Sequence, residues 1–348
     1  MIFDGHNDLL TSLWLSSAKD PVHEFLHGTL PGHLDFKRCQ EAQWMGGLFS
    51  IFLPPYGYLQ KHYPEKIKDR TATDFSEEQI IEICTAQLEM AQQLQLRSEG
   101  KIQICTSLEQ VKTCFQHQQL AIVLHLEGAE VLECEPKLLD TFYEKGLRSI
   151  GPLWNRKSRF GDGLNASFPH SPDTGSGLTE QGKELVRICE NKGMIIDVSH
   201  MNERAFWDTA DILKGFNQPI VATHSNVHAL CAQARNLTDS QLQAIQRSHG
   251  MVGINFDVAF LRSDGQRDPN TSIDTIIDHL SYLLEHLGED HVGFGSDFDG
   301  CLLPLELGDV TYMPYLLERM QQRGFSEALI EKISSQNWFN FLNQILKA

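Results

Sequence analysis

Short apolar runs rich in β-branched residues alternate with amphipathic stretches along the whole chain. The runs at 1–6 (MIFDGH), 47–53 (GLFSIFL), 120–126 (LAIVLHL), 147–153 (LRSIGPL), 193–198 (GMIIDV), 219–223 (PIVAT), 250–256 (GMVGINF) and 291–296 (HVGFGS) predict buried strands. Between them, apolar positions recur at helical spacing over 76–98, 136–145, 178–192, 202–212, 239–248 and 272–287, and two or three more helices follow the last strand. Thr179 and Ser272 stand where helix N-caps are expected, and Gly288 stands at the end of IDTIIDHLSYLLEHLG. Connections of this length exclude hairpins for most of the chain and favour parallel βα units. The stretches 54–75 and 155–177, rich in Gly, Pro and Ser or in charged residues, read as long loops.

The polar residues decide between an open sheet and a closed one. His, Asp and Glu gather at the carboxyl ends of several different strands, and a closed ring brings all of those ends to one mouth. The predicted architecture is therefore α/β: a (β/α)₈ TIM barrel, one domain over residues 1–348, with extra C-terminal helices.

Composition narrows the function classes. A hydrophobic share of 41% is enough for a large core, and a net charge of −17 argues against nucleic acid or an anionic membrane as partner. The eight cysteines form no CxxC pair, so zinc-ribbon and thioredoxin-like readings lack support. Met1 leads straight into IFDGHNDLL without a basic region or cleavage site. No apolar run approaches the roughly 20 residues that a membrane span needs. The cytoplasm is the expected compartment.

His6 and Asp8, two apart on the first strand, share a face and can grip one cation. Glu127 ends the third strand in HLEGA, and its two oxygens can bridge two ions. His200 ends IIDVSH, His224 ends PIVATHSN, and Asp297 follows the last strand in GFGSDFDG. Each alone has a bland reading: a hydrogen-bonded turn histidine, a packed core histidine, or an acidic loop residue. Together they occupy the same geometric end of strands one, three, five, six and eight, which independent core residues would not do. Imidazole and carboxylate donors without thiolate suit zinc and similar first-row ions.

In order and rough spacing, the motifs DGHND, LEGA, DVSH, THSN, ARNLTD and GSDFDG resemble the membrane (renal) dipeptidase family of the amidohydrolase superfamily, in its bacterial cytoplasmic form. The likeness runs over essentially the whole chain. It implies a metallopeptidase that hydrolyses dipeptides bearing a free C-terminal carboxylate, through a hydroxide bridging two divalent ions, with zinc expected. It implies that His6 and Asp8 bind the first ion, that His200 and His224 bind the second, and that Glu127 bridges both. Arg235 of the ARN motif would hold the terminal carboxylate, and Asp297 would be the acid/base. The likeness leaves a homodimer open.

Two positions depart from the family pattern. Trp154 stands where mammalian members carry a histidine after the fourth strand, and Asn155 beside it is a candidate substitute. Asp257 replaces an aromatic or amide residue; it would welcome a substrate cation, or else be satisfied by loop backbone or by a neighbour such as Arg262. His125 is either a support for Glu127 or a packed residue, and Trp44, Trp207 and Trp338 read as packing aromatics. A shared metal core would equally serve hydrolysis of N-acyl amino acids, cyclic amides or lactones, and a metal-binding scaffold without turnover is the third reading.

Overall fold

In a computed structural model describing residues 1–28 and 30–346, eight parallel strands follow one another in chain order around a ring. They are β1 (Ile2–Asn7), β2 (Trp44–Phe52), β3 (Leu120–Glu127), β4 (Leu147–Gly151), β5 (Ile195–Ile196), β6 (Val221–Ala222), β7 (Met251–Ile254) and β8 (Val292–Phe294). The strand pairings run β5–β4–β3–β2–β1–β8–β7–β6, with β1 joined to β8 through Asp4 and Phe294. Closure between β5 and β6 rests on a single bridge, Asp197 with Val221, where the Val198 N–H donates to the Val221 carbonyl at 2.9 Å. The Asp197 carboxylate reinforces it, accepting from the Thr223 N–H (2.9 Å) and hydroxyl (2.7 Å). The barrel is thus nearly closed, as predicted.

A ninth strand, Ile102–Ile104, pairs with the first half of β3 outside the ring. It is three residues long, too short for a periodic signal.

The barrel interior is packed by Phe3, Leu48, Val123, Ile195, Val221 and Met251. The C-terminal helix Asn337–Ile345 closes the floor by inserting Trp338, whose indole N–H donates to the Phe294 carbonyl at 2.9 Å. A Cβ on Gly5 would come within 2.4 Å of that ring, so β1 carries glycine there. Trp44 is as completely buried as Trp338, and removing such an indole typically costs about 3–5 kcal/mol. Trp207 is different: it is 37% exposed, with its ring edge on Phe206.

Most helices follow their caps. The Ser76 hydroxyl and the Gln79 side chain form a capping box that starts Glu77–Arg97, and Thr179 caps Glu180–Asn191 through the Gly182 N–H. Ser272 stands one residue before the N-cap position of Asp274–Leu287, which Ile273 holds; the Ser272 hydroxyl accepts from the Asp274 N–H at 3.3 Å, and the Ile273 N–H donates to Glu306. The stretch 54–75 is not wholly loop. Tyr56–His62 is helical after Pro55, and Tyr56, Leu59 and Ile67 bury one another in a small satellite cluster. The 155–177 segment stays irregular apart from a tight hairpin of Lys157–Ser158 with Gly161–Asp162. Among the described residues, no helix is long and apolar enough to cross a membrane.

Candidate metal centre

Because each ring strand ends at the same mouth, side chains far apart in sequence converge there. Glu127, the last residue of β3, sits in the middle. Its Oε1 lies 2.8 Å from His200 Nε2 and 3.5 Å from His224 Nε2, and its Oε2 lies 3.4 Å from His6 Nε2. Asp8 Oδ2 is 4.0 Å from His6 Nε2, and the two imidazoles of His200 and His224 approach to 3.0 Å. Ligand-type atoms gather in two groups, His6–Glu127–His224 and His6–Asp8–Asp297, each within 4.8 Å. The five residues expected to hold metal are therefore together. Asp297 lies among them, its carboxylate grouped with His6 and Asp8.

The charges and burial of these groups suit a cation. Both ring nitrogens of His6 are buried without a hydrogen-bond partner. Burial alone would lower the basicity of His6, but the carboxylates of Glu127, Asp8 and Asp297 outweigh it and raise its pKa to about 10. Burial and then the Glu127 charge push Asp8 up to about 7. Burial, with the charges of Asp8 and Glu127, also drives Asp297 well above the carboxylate range. Burial opposes charge on Glu127, yet the His6 charge and the hydrogen bond to His200 bring it well below its usual value. Burial and Arg235 lower His200 to about 4, so it presents a neutral lone pair. A buried cluster of three acids and three imidazoles, with both His6 nitrogens unpartnered, fits divalent cations.

Neighbouring groups fix the imidazole tautomers. The Asn155 amide oxygen accepts from His200 Nδ1 at 2.9 Å, which leaves Nε2 facing Glu127. Thr223 spends its hydroxyl proton on Asp197, so it accepts from His224 Nδ1 (2.8 Å) and turns that Nε2 inward too. Asn155, the candidate substitute for the family histidine, thus contacts His200 and also lines the cavity above it. His125 is packed beside the cluster: its Nδ1 bonds the Ser149 hydroxyl at 2.8 Å and its ring meets His6 edge-on.

Sequence reasoning missed four residues of this shell. The Ser50 hydroxyl donates to Asp8, Asn255 donates to Asp297 Oδ2 at 2.9 Å, and Asp197 organises Ser199 and Thr223. Ser50 and Asn255 were visible as lone polar residues inside apolar strands, and Asp197 as the acid within IIDVS. Gly300 was the fourth. A Cβ there would stand 1.9 Å from Asp8 and 2.4 Å from Asp297, so both carboxylates can close over it only if it is glycine.

Above the cluster lies a cavity of about 490 Å³. Arg235 is buried in its wall, donating to the Ser199 carbonyl and from Nη2 to His200 Nε2 (3.2 Å), while its Nε has no partner. Its partners are the Ser199 and His224 carbonyls and the His200 imidazole, and donors remain for an anion. Trp154 also lines the cavity, with ring centroids 4.7 Å from Phe52 and 5.9 Å from His200. Asp257 also lines the cavity, but Arg262 is not its partner. Arg262 pairs with Asp264, whereas Asp257 Oδ1 accepts from the Ala259 N–H at 2.9 Å and Oδ2 lies 3.8 Å from Arg267.

Residues 1–348 match the protein family described as membrane dipeptidase, peptidase family M19. The chain is 64% identical over 286 residues to an Acinetobacter calcoaceticus protein described as the uncharacterized protein in the PQQ-III 3′ region, covering 82% of this chain and 90% of that one. The crystal structure of the dipeptidase AC, an M19 metallopeptidase, aligns with a TM-score of 0.90 at 37% identity, covering 100% of this chain and 99% of that one. A Rhodobacter sphaeroides metallopeptidase liganded with a phosphinate mimic of the dipeptide L-Ala-D-Ala aligns with a TM-score of 0.90 at 37% identity, covering 99% of each chain.

Proposed function

The chain belongs to the membrane dipeptidase family, peptidase family M19, and from that premise we propose that it hydrolyses dipeptides with a free C-terminal carboxylate. The observation that carries the reading is the pair of Glu127 oxygens, one facing His6 and the other facing His200 and His224, beneath a cavity walled by Arg235. Its neighbour solved with a dipeptide mimic supports a small peptide as substrate.

His6 and Asp8 would hold one ion, His200 and His224 the other, with Glu127 shared between them; zinc suits these donors. When bound, two divalent ions would supply Lewis acidity, polarising the scissile carbonyl and lowering the pKa of the attacking water. The protein's own work is the rest. Asp297, held by Asn255, would take the proton from that water and pass it to the leaving amine. Arg235 would grip the terminal carboxylate with its fork. Trp154 would close the cavity against bulk water as an apolar wall, and Asn155 would keep His200 in the ligating tautomer. All eight cysteines are free thiols, which suits a reducing compartment and supports a cytoplasmic location.

Arg235 gives the test of substrate class. Metal-loaded protein should turn over free dipeptides and do poorly on their C-terminal amides. Arg235→Lys keeps the charge but loses the fork, and should raise KM about 10- to 100-fold with a smaller change in kcat. Steady-state kinetics on matched acid and amide substrates decides the matter. Equal rates on the two would remove Arg235 from carboxylate binding, and turnover of N-acyl amino acids alone would move the reading to that neighbouring activity.

A further inference from the structure

The cavity holds two guanidiniums, and a terminal carboxylate needs only one. Arg235 is buried beside the metal cluster, whereas Arg267 lines the same cavity with its side chain 65% exposed. The contact that orients Arg267 is Asp257 Oδ2, 3.8 Å from its Nη1, too long for a hydrogen bond. A guanidinium has five N–H donors, so Arg267 is aimed by Asp257 without being satisfied by it.

Its loop is built, not trailing. A Cβ on Gly265 would fall 2.2 Å from the Phe168 ring, so the 155–177 segment packs directly on this loop. The Gly265 N–H donates to the Arg262 carbonyl at 2.9 Å, and Arg262 is itself tied to Asp264. The Thr271 hydroxyl donates to the Asp268 carbonyl at 2.6 Å, and the Leu305 N–H to the Pro269 carbonyl at 2.8 Å.

We propose that Arg267 is a specificity-determining residue that selects dipeptides whose C-terminal residue carries an acidic side chain. The proposal rests on the dipeptidase reading, since Arg235 must hold the terminal carboxylate for the neighbouring guanidinium to meet the side chain of that same residue. Asp257 alone would favour a basic side chain instead. Its charge is already opposed by both Arg235 and Arg267, and one of its oxygens is spent on the Ala259 N–H. With Arg235 given to the terminal carboxylate, Arg267 on the same cavity keeps donors that Asp257, 3.8 Å away, does not fill, and a second carboxylate on the substrate can take them.

The experiment compares kcat/KM of the metal-loaded protein on Ala-Glu, Ala-Gln and Ala-Lys, each with both enantiomers of the second residue. Glu is expected to exceed its isostere Gln by about tenfold or more, as a charge-assisted pair does over a neutral one. In Arg267→Gln the Glu-to-Gln ratio should fall to near one. A parent that treats Glu and Gln alike, or prefers Lys, overturns the proposal. So does an Arg267→Gln variant that loses Glu and Gln substrates in equal measure, because the residue would then serve the terminal carboxylate or the fold. Binding of N-acetylglutamate against N-acetylglutamine reads the same contact without turnover. Tighter binding of the diacid, lost in Arg267→Gln, supports the selection even where dipeptide hydrolysis fails, and equal binding of the two sinks it.

Discussion

Glu127→Ala should leave the protein with one divalent ion per chain or fewer, where the parent takes up about two, and should reduce turnover by at least on the order of 10³-fold. Glu127 is the carboxylate that touches all three imidazoles of the cluster, His6 through one oxygen and His200 and His224 through the other. Alanine removes both contacts and leaves three histidines facing a hole. His200 and His224 remain 3.0 Å apart, a two-ligand remnant that holds an ion weakly. Elemental analysis after reconstitution and gel filtration, beside kcat on the best dipeptide, measures both effects. A variant that keeps two ions would end the bridging role of Glu127, whatever its rate.

Asp297→Asn should separate chemistry from metal holding. The amide keeps the size of the carboxylate but cannot accept a proton from water, so kcat should fall about 10²- to 10⁴-fold. With excess metal, the ion content should stay at the parent level, because His6, Asp8 and Glu127 still surround the first site. The placement of Asp297 within ligand distance of His6 and Asp8 sharpens the test. If the residue serves mainly as a ligand, metal will be lost together with activity and excess metal will rescue the rate. If it is the acid/base, the ions stay and the rate does not return. Full kcat in Asp297→Asn would remove it from the reaction altogether.

The barrel was legible because its signals are local. Seven of the eight ring strands need only a short apolar run with turn residues on either side, and β1 adds a polar pair to the same pattern. The candidate site was legible for the same reason, since His6 and Asp8 stand at the end of the first such run and Glu127, His200, His224 and Asp297 at the ends of others. What escaped was set by contacts between distant segments. The helix Leu108–Gln116 follows the proper cap of Ser107 on the Gln110 N–H, but the run is short and its neighbours are polar. Helix Leu9–Leu15 begins directly at Asp8 without a side-chain cap, so the strand and helix patterns merge there. Arg262 and Arg267 are equivalent in sequence as partners for Asp257, and only the turn at Gly265 decides that Arg267 faces it. Gly300 has no periodicity at all; its necessity comes from two carboxylates that arrive from elsewhere.

The weak closure between β5 and β6 has a mechanical side. One backbone bridge and the Asp197 carboxylate hold these two staves, and the chain leaving each of them delivers a histidine, His200 from one and His224 from the other. An ion held by that pair, as proposed, would be a rivet through the least-fastened joint of the cask. Loading state and the integrity of the wall then become one variable, and any agent that strips the ion also loosens the timber around it. Amide hydrogen exchange at 195–200 and 221–224 should quicken on chelation while β2 and β3, laced by seven paired positions, hold their pace. Uniform quickening all round the ring would show that the joint is no weaker than the rest.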